Sequence, residues 1–192
     1  MKTNSIWGLL VNPFIRIAGW QAFAAGFVIS VLSVWIGSVN GTYFDGVIDF
    51  HYGGENYSLL KLFGILAIDI FSITVVMSLS GFIISKSFRL IDILGTMTFS
   101  RIPYLLLAVF SLFVKSPDLN EILHNPLSVF NNIGFVLVMI LSLPVLVWYI
   151  ALMYNALKVS CDVKGMKLKV VFIVAVIVAE VLSKILIYAF FR

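Results

Sequence analysis

The sequence predicts an all-α integral membrane helical bundle with five transmembrane helices. Of its 192 residues, 61% are hydrophobic and only 11% are charged, and its mean hydropathy is +1.10. An ordinary soluble domain has about 25% charged residues. A soluble fold of this size has no interior large enough to hide so much apolar surface, so soluble fold classes are excluded.

The five spans follow from the length of the apolar segments. A helix needs roughly 20 mostly apolar residues to cross the hydrocarbon core of a bilayer. Five segments meet this requirement, at residues 20–39, 62–84, 93–114, 133–157 and 170–191. The stretches between them are too short to build a core of their own. We therefore expect one membrane domain over residues 1–192 and no soluble catalytic domain.

The distribution of Lys and Arg predicts the orientation, because these residues are retained on the cytoplasmic side. Of the 13 basic residues, eight fall on one side of the predicted bundle: Lys2, Arg16, Lys86, Arg89, Lys158, Lys164, Lys167 and Lys169. The other side carries Lys61, Lys115 and Arg192 together with Asp45, Asp49, Glu55, Asp118 and Glu121. We expect a cytoplasmic N-terminus and an outside C-terminus. The net charge of +4 is then a topology signal, and no nucleic-acid partner is indicated.

Four ionisable residues fall within predicted spans, where each costs about 2.5–3.5 kcal/mol at the helix centre and usually faces a partner or water. They are Asp69, Arg101, Glu180 and Lys184. Glu180 and Lys184 are four residues apart on the fifth span, in the order that favours a helical ion pair. One interpretation is a pair that neutralises itself or reaches the outer interface. The other is a role in transport or in binding a partner.

Asp69 and Arg101 are expected at different depths, so the sequence does not imply an ion pair between them. Asp69 lies about a third of the way along the second span, with Ser72 one turn on. It is interpreted either as a polar contact between helices or as a proton or ion site. Arg101 lies in the inner half of the third span, from where we expect it to snorkel to the cytoplasmic interface.

Pro103 leaves the start of the third span open. A helix beginning at Pro103 would be too short to cross, so a helix from Ile93 with a kink at Pro103 is preferred. Residues 87–100 alternate polar and apolar side chains in a pattern typical of a helix lying in the membrane interface, and residues 6–17 read similarly. On the first span, the small residues Ala18, Ala22, Gly26 and Ser30 predict a close-packed helix face.

No enzyme motif is present: the sequence lacks G-x-S-x-G, H-E-x-x-H, a Walker loop and G-x-G-x-x-G. His51 and His124 are expected in outer loops with no nearby ligand cluster, and Ser80 has no histidine base in any span. We therefore expect no catalytic residues, no cofactor and no metal. The one cysteine, Cys161, lies among basic residues that would lower its pKa, and it is read as an ordinary reduced thiol or a palmitoylation site.

Three stretches of the sequence resemble the Yip family of small polytopic membrane proteins. They are WGLLVNP at residues 7–13, SFRLIDIL at 87–94 leading to FSRIP at 99–103, and WY at 148–149 followed by YNAL at 154–157 before a basic loop. The resemblance implies a helical membrane domain with a cytoplasmic N-terminus. The long N-terminal region of eukaryotic members is missing, so GTPase binding is not carried over, and a bacterial inner-membrane member is expected.

Two functions are compatible with these features. The first is a non-enzymatic scaffold or adaptor that contacts the lipid bilayer and a membrane protein partner, either another protein or a second copy of the chain. The second is a small ion or solute transporter or channel in which Asp69 and Glu180 line a polar path.

Overall fold

The computed structural model describes residues 6–52, 57–85, 87–114 and 123–191. The α-helices named below are, in chain order, α1 (Ile6–Val11), α2 (Gly19–Val39), α3 (Leu59–Ile84), α4 (Leu90–Ser100), α5 (Pro103–Ser111), α6 (Ile133–Ser160) and α7 (Met166–Phe191). Five segments of the described chain are long and apolar enough to cross a membrane: α2, α3, the pair α4–α5, α6 and α7. The predicted all-α membrane bundle with five spans is therefore confirmed.

Successive spans run in opposite directions, so their connections alternate between two ends of the bundle. We call them the Arg89 end, where α4 begins, and the Asp45 end, where the loop after α2 lies. Several residues that entered the charge count lie outside the described residues: Lys2, Glu55, Lys86, Lys115, Asp118, Glu121 and Arg192.

Several helices extend beyond the apolar segments by one to four residues, whereas α5 ends at Ser111, three residues before the predicted end of the third span. The helix α3 begins at Leu59 because the Ser58 side chain caps it, accepting a hydrogen bond from the Lys61 backbone N–H at 3.3 Å. Asn132 caps α6 in the same way, at 3.0 Å from the Phe135 nitrogen. Hydropathy alone missed the start of α3, since a polar residue continues a helix as readily as an apolar one. The start of α6 at Ile133 agrees with the prediction.

The third span is broken at Arg101 and Ile102, between α4 and α5. Pro103 occupies the first turn of α5, where its missing N–H costs nothing, and α4 begins at Leu90, three residues before the predicted Ile93. The expectation that residues 87–100 lie in the membrane interface is wrong for α4. Six of its residues are buried, and it packs against α2, α3 and α6.

Glycines allow α2 and α4 to approach closely. A Cβ at Gly26 would meet backbone atoms of Phe99, and a Cβ at Gly95 would meet the backbone of Gly19. Ala22 and Ser30, on the same predicted small-residue face, are also buried. Three of the four residues of the predicted close-packed face are therefore buried, whereas Ala18 precedes α2 and is exposed. The remaining large contact joins α7 to α3.

The N-terminal segment lies against α6 at the Arg89 end. The α6 side chain of Trp148 donates to the Leu10 carbonyl at 2.8 Å, and Asn155 donates to the Val11 carbonyl at 3.2 Å. These bonds satisfy carbonyls that the short α1 leaves free. Ile6 and Trp7 remain 78% and 79% exposed, as expected for a segment whose apolar side chains meet lipid.

The loop after α2 folds back into the Asp45 end. It forms a short antiparallel hairpin of β1 (Thr42–Tyr43) and β2 (His51–Tyr52), with Tyr43 paired to His51. Between the strands, Phe44 and Val47 are buried in the hydrophobic core. This loop therefore closes the bundle above its polar interior.

Candidate functional site

Asp69 and Arg101 form an ion pair inside the bundle. Arg101 Nη2 lies 3.2 Å from Asp69 Oδ2, and the two side chains are 2% and 0% exposed. Each residue is ten positions from the Asp45 end of its span, Leu59 for one and Ser111 for the other, which is about 15 Å along a helix. The expectations that they lie at different depths and that Arg101 snorkels to the interface are therefore wrong.

Ser183 of α7 joins the pair from the other side. Its hydroxyl donates to Asp69 Oδ1 at 2.5 Å, and its side chain is fully buried. Hydrogen bonds and opposite charge are what a buried carboxylate requires. Asp69 thus links α3 to the α4–α5 junction and to α7, and this supports its interpretation as a polar contact between helices.

Aromatic side chains cover the ion pair towards the Asp45 end. The Tyr104 ring centroid is 5.2 Å from the Arg101 guanidinium carbon and 4.8 Å from the Tyr149 ring centroid. The Tyr104 hydroxyl donates to the Val47 carbonyl in the closing loop at 3.1 Å. The neighbouring void, lined in part by Ser30 and Arg101, is too narrow for a water molecule.

The interior is not fully paired. Among the described residues, no group hydrogen-bonds Ser30 Oγ. Arg101 keeps a carboxylate and an aromatic face as neighbours. A guanidinium has five N–H donors in a rigid fork, so one carboxylate and one ring do not saturate it.

Lys184 pairs with the closing loop instead of with Glu180. Its Nζ lies 2.7 Å from Asp49 Oδ2 and 3.3 Å from Asp45 Oδ1. Glu180 accepts the backbone N–H of Ile48 at 2.9 Å. The interpretation in which Glu180 and Lys184 neutralise each other therefore does not hold, because the loop brings its own carboxylates and a backbone donor to α7.

His51 belongs to the same polar group. Its Nδ1 lies 3.0 Å from Asp45 Oδ1. The hydrogen bond to Asp45 raises the pKa of His51 and outweighs the opposite effect of burial. Burial raises the pKa of Asp45. The hydrogen bonds and positive charges of His51 and Lys184 lower the pKa by more than burial raises it, so the pKa lies below its ordinary value. We call Asp45, Asp49, His51, Glu180 and Lys184 the loop cluster.

The loop cluster was missed by the sequence analysis, which treated His51 as isolated. The available signal was the apolar character of Tyr43, Phe44, Val47 and Ile48 within a loop. Such a pattern is unusual for a connection that stays in water, since buried loops must satisfy their backbone groups. Here Tyr104 and Glu180 supply part of that requirement.

Two other residues singled out in the sequence have structural roles. Ser80 donates to the Val76 carbonyl of its own helix at 2.9 Å, as expected for a packing residue. Cys161 is 2% exposed, and burial raises its pKa to about 11. The expectation that basic neighbours lower the pKa of this thiol is therefore wrong.

Comparison with known proteins finds no matching family model, no matching curated protein and no matching solved structure. The role of these residues therefore has to be inferred from their geometry alone. Within the described residues, no group of three or more His, Cys, Asp or Glu side chains is arranged to hold a metal ion. The arrangement holds three spans together through Asp69 and fastens the closing loop to α7 through Lys184.

Proposed function

We propose that the protein is a non-enzymatic integral membrane scaffold or adaptor of the Yip family, resident in a bacterial inner membrane. The observation that carries this proposal is the ion pair of Asp69 and Arg101. These two charges neutralise each other in a dry interior and bind helices together. Glu180 and Lys184 are likewise engaged by the chain itself, so the intramembrane charges serve the fold.

The proposed orientation places the Arg89 end in the cytoplasm. Its described basic residues are Arg16, Arg89, Lys158, Lys164, Lys167 and Lys169. Positive charge is retained on that side. The exposed apolar side chains of α1 then lie in the cytoplasmic leaflet, next to the connections that a partner protein would contact.

The test is quantitative co-purification of the tagged protein from native membranes in mild detergent, with a tagged unrelated five-span protein as control. A specific partner recovered in near-stoichiometric amount supports the adaptor function. Recovery of no protein in excess of the control, neither another protein nor a second copy, contradicts it.

Transport of an ion or solute is the second candidate function, and one observation favours it. Asp69 is a carboxylate about 15 Å inside the bundle, and above it the loop cluster holds three further carboxylates, Asp45, Asp49 and Glu180. A movement of the closing loop would give water a route between them. Proton and cation flux into proteoliposomes tests this function directly.

A double variant separates the two functions. Asp69→Leu combined with Arg101→Met removes both charges and leaves no unpaired ion behind. A scaffold keeps its partner when this variant folds. A transporter that uses Asp69 loses its flux in the same variant. Single neutralisation of Asp69 is less informative, because it leaves Arg101 buried without its carboxylate.

A further inference from the structure

A cavity of about 520 Å³ opens at the Asp45 end between α3 and α7. Its lining residues come from the loop cluster, from the first turns of α3, from a position two residues before that helix, and from the last turns of α7: Asp45, Tyr57, Lys61, Ile65, Ile187, Tyr188 and Phe191. Because it lies where two spans end, the cavity is at the level of the lipid headgroups. Its volume is within the range of roughly 300–1,000 Å³ typical of small-ligand sites.

The walls of the cavity offer opposite charges. Lys61 Nζ is 3.9 Å from the Tyr57 ring centroid, and no carboxylate among the described residues forms an ion pair with it. Asp45 receives hydrogen bonds from His51 and Lys184. Since an ionised carboxylate accepts about four hydrogen bonds, Asp45 retains the capacity to accept another donor.

The remaining walls are apolar or aromatic. Ile65 is buried, and with Ile187 and Phe191 it continues the cavity wall towards the hydrocarbon core. Tyr57 and Tyr188 add aromatic side chains to the wall, and the Tyr57 ring carries the Lys61 ammonium. A ligand of the cavity therefore carries an anionic group, an ammonium group and an apolar chain.

We propose that this cavity binds the headgroup of a zwitterionic phospholipid with a primary ammonium, of the phosphatidylethanolamine type. Its phosphate lies against Lys61, its ammonium reaches Asp45, and an acyl chain follows Ile65 and Ile187. A primary ammonium donates hydrogen bonds to Asp45, which a quaternary choline nitrogen cannot do. A purely anionic headgroup would meet repulsion from Asp45.

The test uses the full-length protein in detergent, with phosphatidylethanolamine, phosphatidylcholine and phosphatidylglycerol of identical acyl chains, and native mass spectrometry as the readout. We expect phosphatidylethanolamine to bind most tightly. Lys61→Gln removes the charged donor to the phosphate, so the affinity of the variant for this lipid should fall about tenfold or more. Lys164→Gln, the same change of charge at the Arg89 end, should leave the affinity unchanged.

A second variant tests the ammonium contact. Asp45→Asn should lower the preference for phosphatidylethanolamine over phosphatidylcholine, provided that circular dichroism shows a native helix content. If Asp45→Asn does not fold, the proposal is decided by the relative affinities of the three lipids and by the affinity of Lys61→Gln for phosphatidylethanolamine.

Three results would overturn the proposal. One is equal or tighter binding of phosphatidylglycerol, and another is an unchanged affinity in Lys61→Gln. The third is displacement of the lipid by soluble phosphoethanolamine at a concentration similar to that of the lipid itself, which would assign the cavity to a soluble zwitterion. The site is independent of partner recovery, so failure here leaves the adaptor proposal standing.

Discussion

Asp69 and Arg101 are 32 residues apart in the chain, yet their side chains meet at the same depth in the bundle, with 3.2 Å between Oδ2 and Nη2. The contact depends on two helices that run in opposite directions and on a break in one of them. The break places Arg101 at the end of α4, directly before the turn into α5. The bundle interior therefore holds a paired charge, and not two separate ones.

Removal of one partner should destabilise the protein strongly. Asp69→Asn leaves Arg101 as an uncompensated buried charge, for which the expected loss is about 3–5 kcal/mol of unfolding free energy. Asp69→Leu with Arg101→Met should recover most of that loss, because no ion remains unpaired. Thermal unfolding in detergent, followed by circular dichroism, measures both effects.

The matched control for this cycle is Asp49→Asn. Asp49 also forms an ion pair, with Lys184, but its side chain is 50% exposed. Exposed pairs contribute about 0–1 kcal/mol, so the control should unfold close to wild type. Equal losses in Asp69→Asn and Asp49→Asn would contradict the assignment of the first pair to a dry interior.

The stability of the Asp45 end should depend on pH through His51. Its pKa is raised in the folded state by the hydrogen bond to Asp45, so its contribution is fully present below the unfolded value of about 6.5. The contribution is lost as pH rises through the folded pKa. Asp45 has a pKa lowered from its ordinary value of 3.8, so its own contribution is lost only as the pH falls below that value and through the folded pKa.

The difference in Tm between wild type and His51→Gln measures this effect. We expect the difference to be largest between about pH 4 and pH 6.5 and to shrink as the pH rises above that range. The other charged groups of the loop cluster, Asp49, Glu180 and Lys184, are kept in both proteins. The control His124→Gln removes the second histidine, and a pH profile of the same shape in this control would contradict the assignment to His51.

The spans were predictable because they depend on composition along the chain, whereas the contacts between polar residues depend on which helices are neighbours. The predicted segment from residue 170 falls within α7, which begins at Met166, and the predicted end of the first span at Val39 is the observed end of α2. By contrast, Ser183 reaches Asp69 across 114 residues. A list of apolar segments contains no information about such a pairing.

The Glu180–Lys184 pair shows the same difference at short range. The two residues have the spacing of a helical ion pair, and such a pair gains only about 0.2–0.5 kcal/mol. The loop brings the carboxylates of Asp45 and Asp49 to Lys184. It also brings the Ile48 backbone N–H to Glu180, which accepts its hydrogen bond. The Glu180 contact is favourable because it satisfies a backbone N–H that is partly removed from water. Neither contact can be foreseen until the loop is known to fold inward.

Cys161 should react slowly with alkylating reagents. Its thiol is buried and its pKa is raised to about 11, so at pH 7.4 the reactive thiolate is on the order of one molecule in several thousand. Lys164→Cys in a Cys161→Ser background presents an exposed thiol in the same connection for comparison. Maleimide labelling followed by mass spectrometry should be at least about 100-fold faster for the exposed cysteine. Similar rates for the two would show that Cys161 is accessible.

The close approach of α2 and α4 should make Gly26 intolerant of any side chain. A Cβ at this position would lie within 2.6 Å of the Thr98 carbonyl carbon and against the backbone of Phe99, and backbone atoms in a packed helix have little freedom to move away. Gly26→Val should therefore cost about 1–3 kcal/mol or more through overpacking. Ala24→Val adds a similar volume on an exposed face of the same helix and should be nearly neutral.

The contact between α2 and α4 should also be coupled to the ion pair. Arg101 directly follows the last residue of α4, so separation of α2 from α4 should loosen the ion pair. Gly26→Val combined with Asp69→Asn should then cost less than the sum of the two single changes. Additive losses would mean that the helix contact and the ion pair are energetically independent.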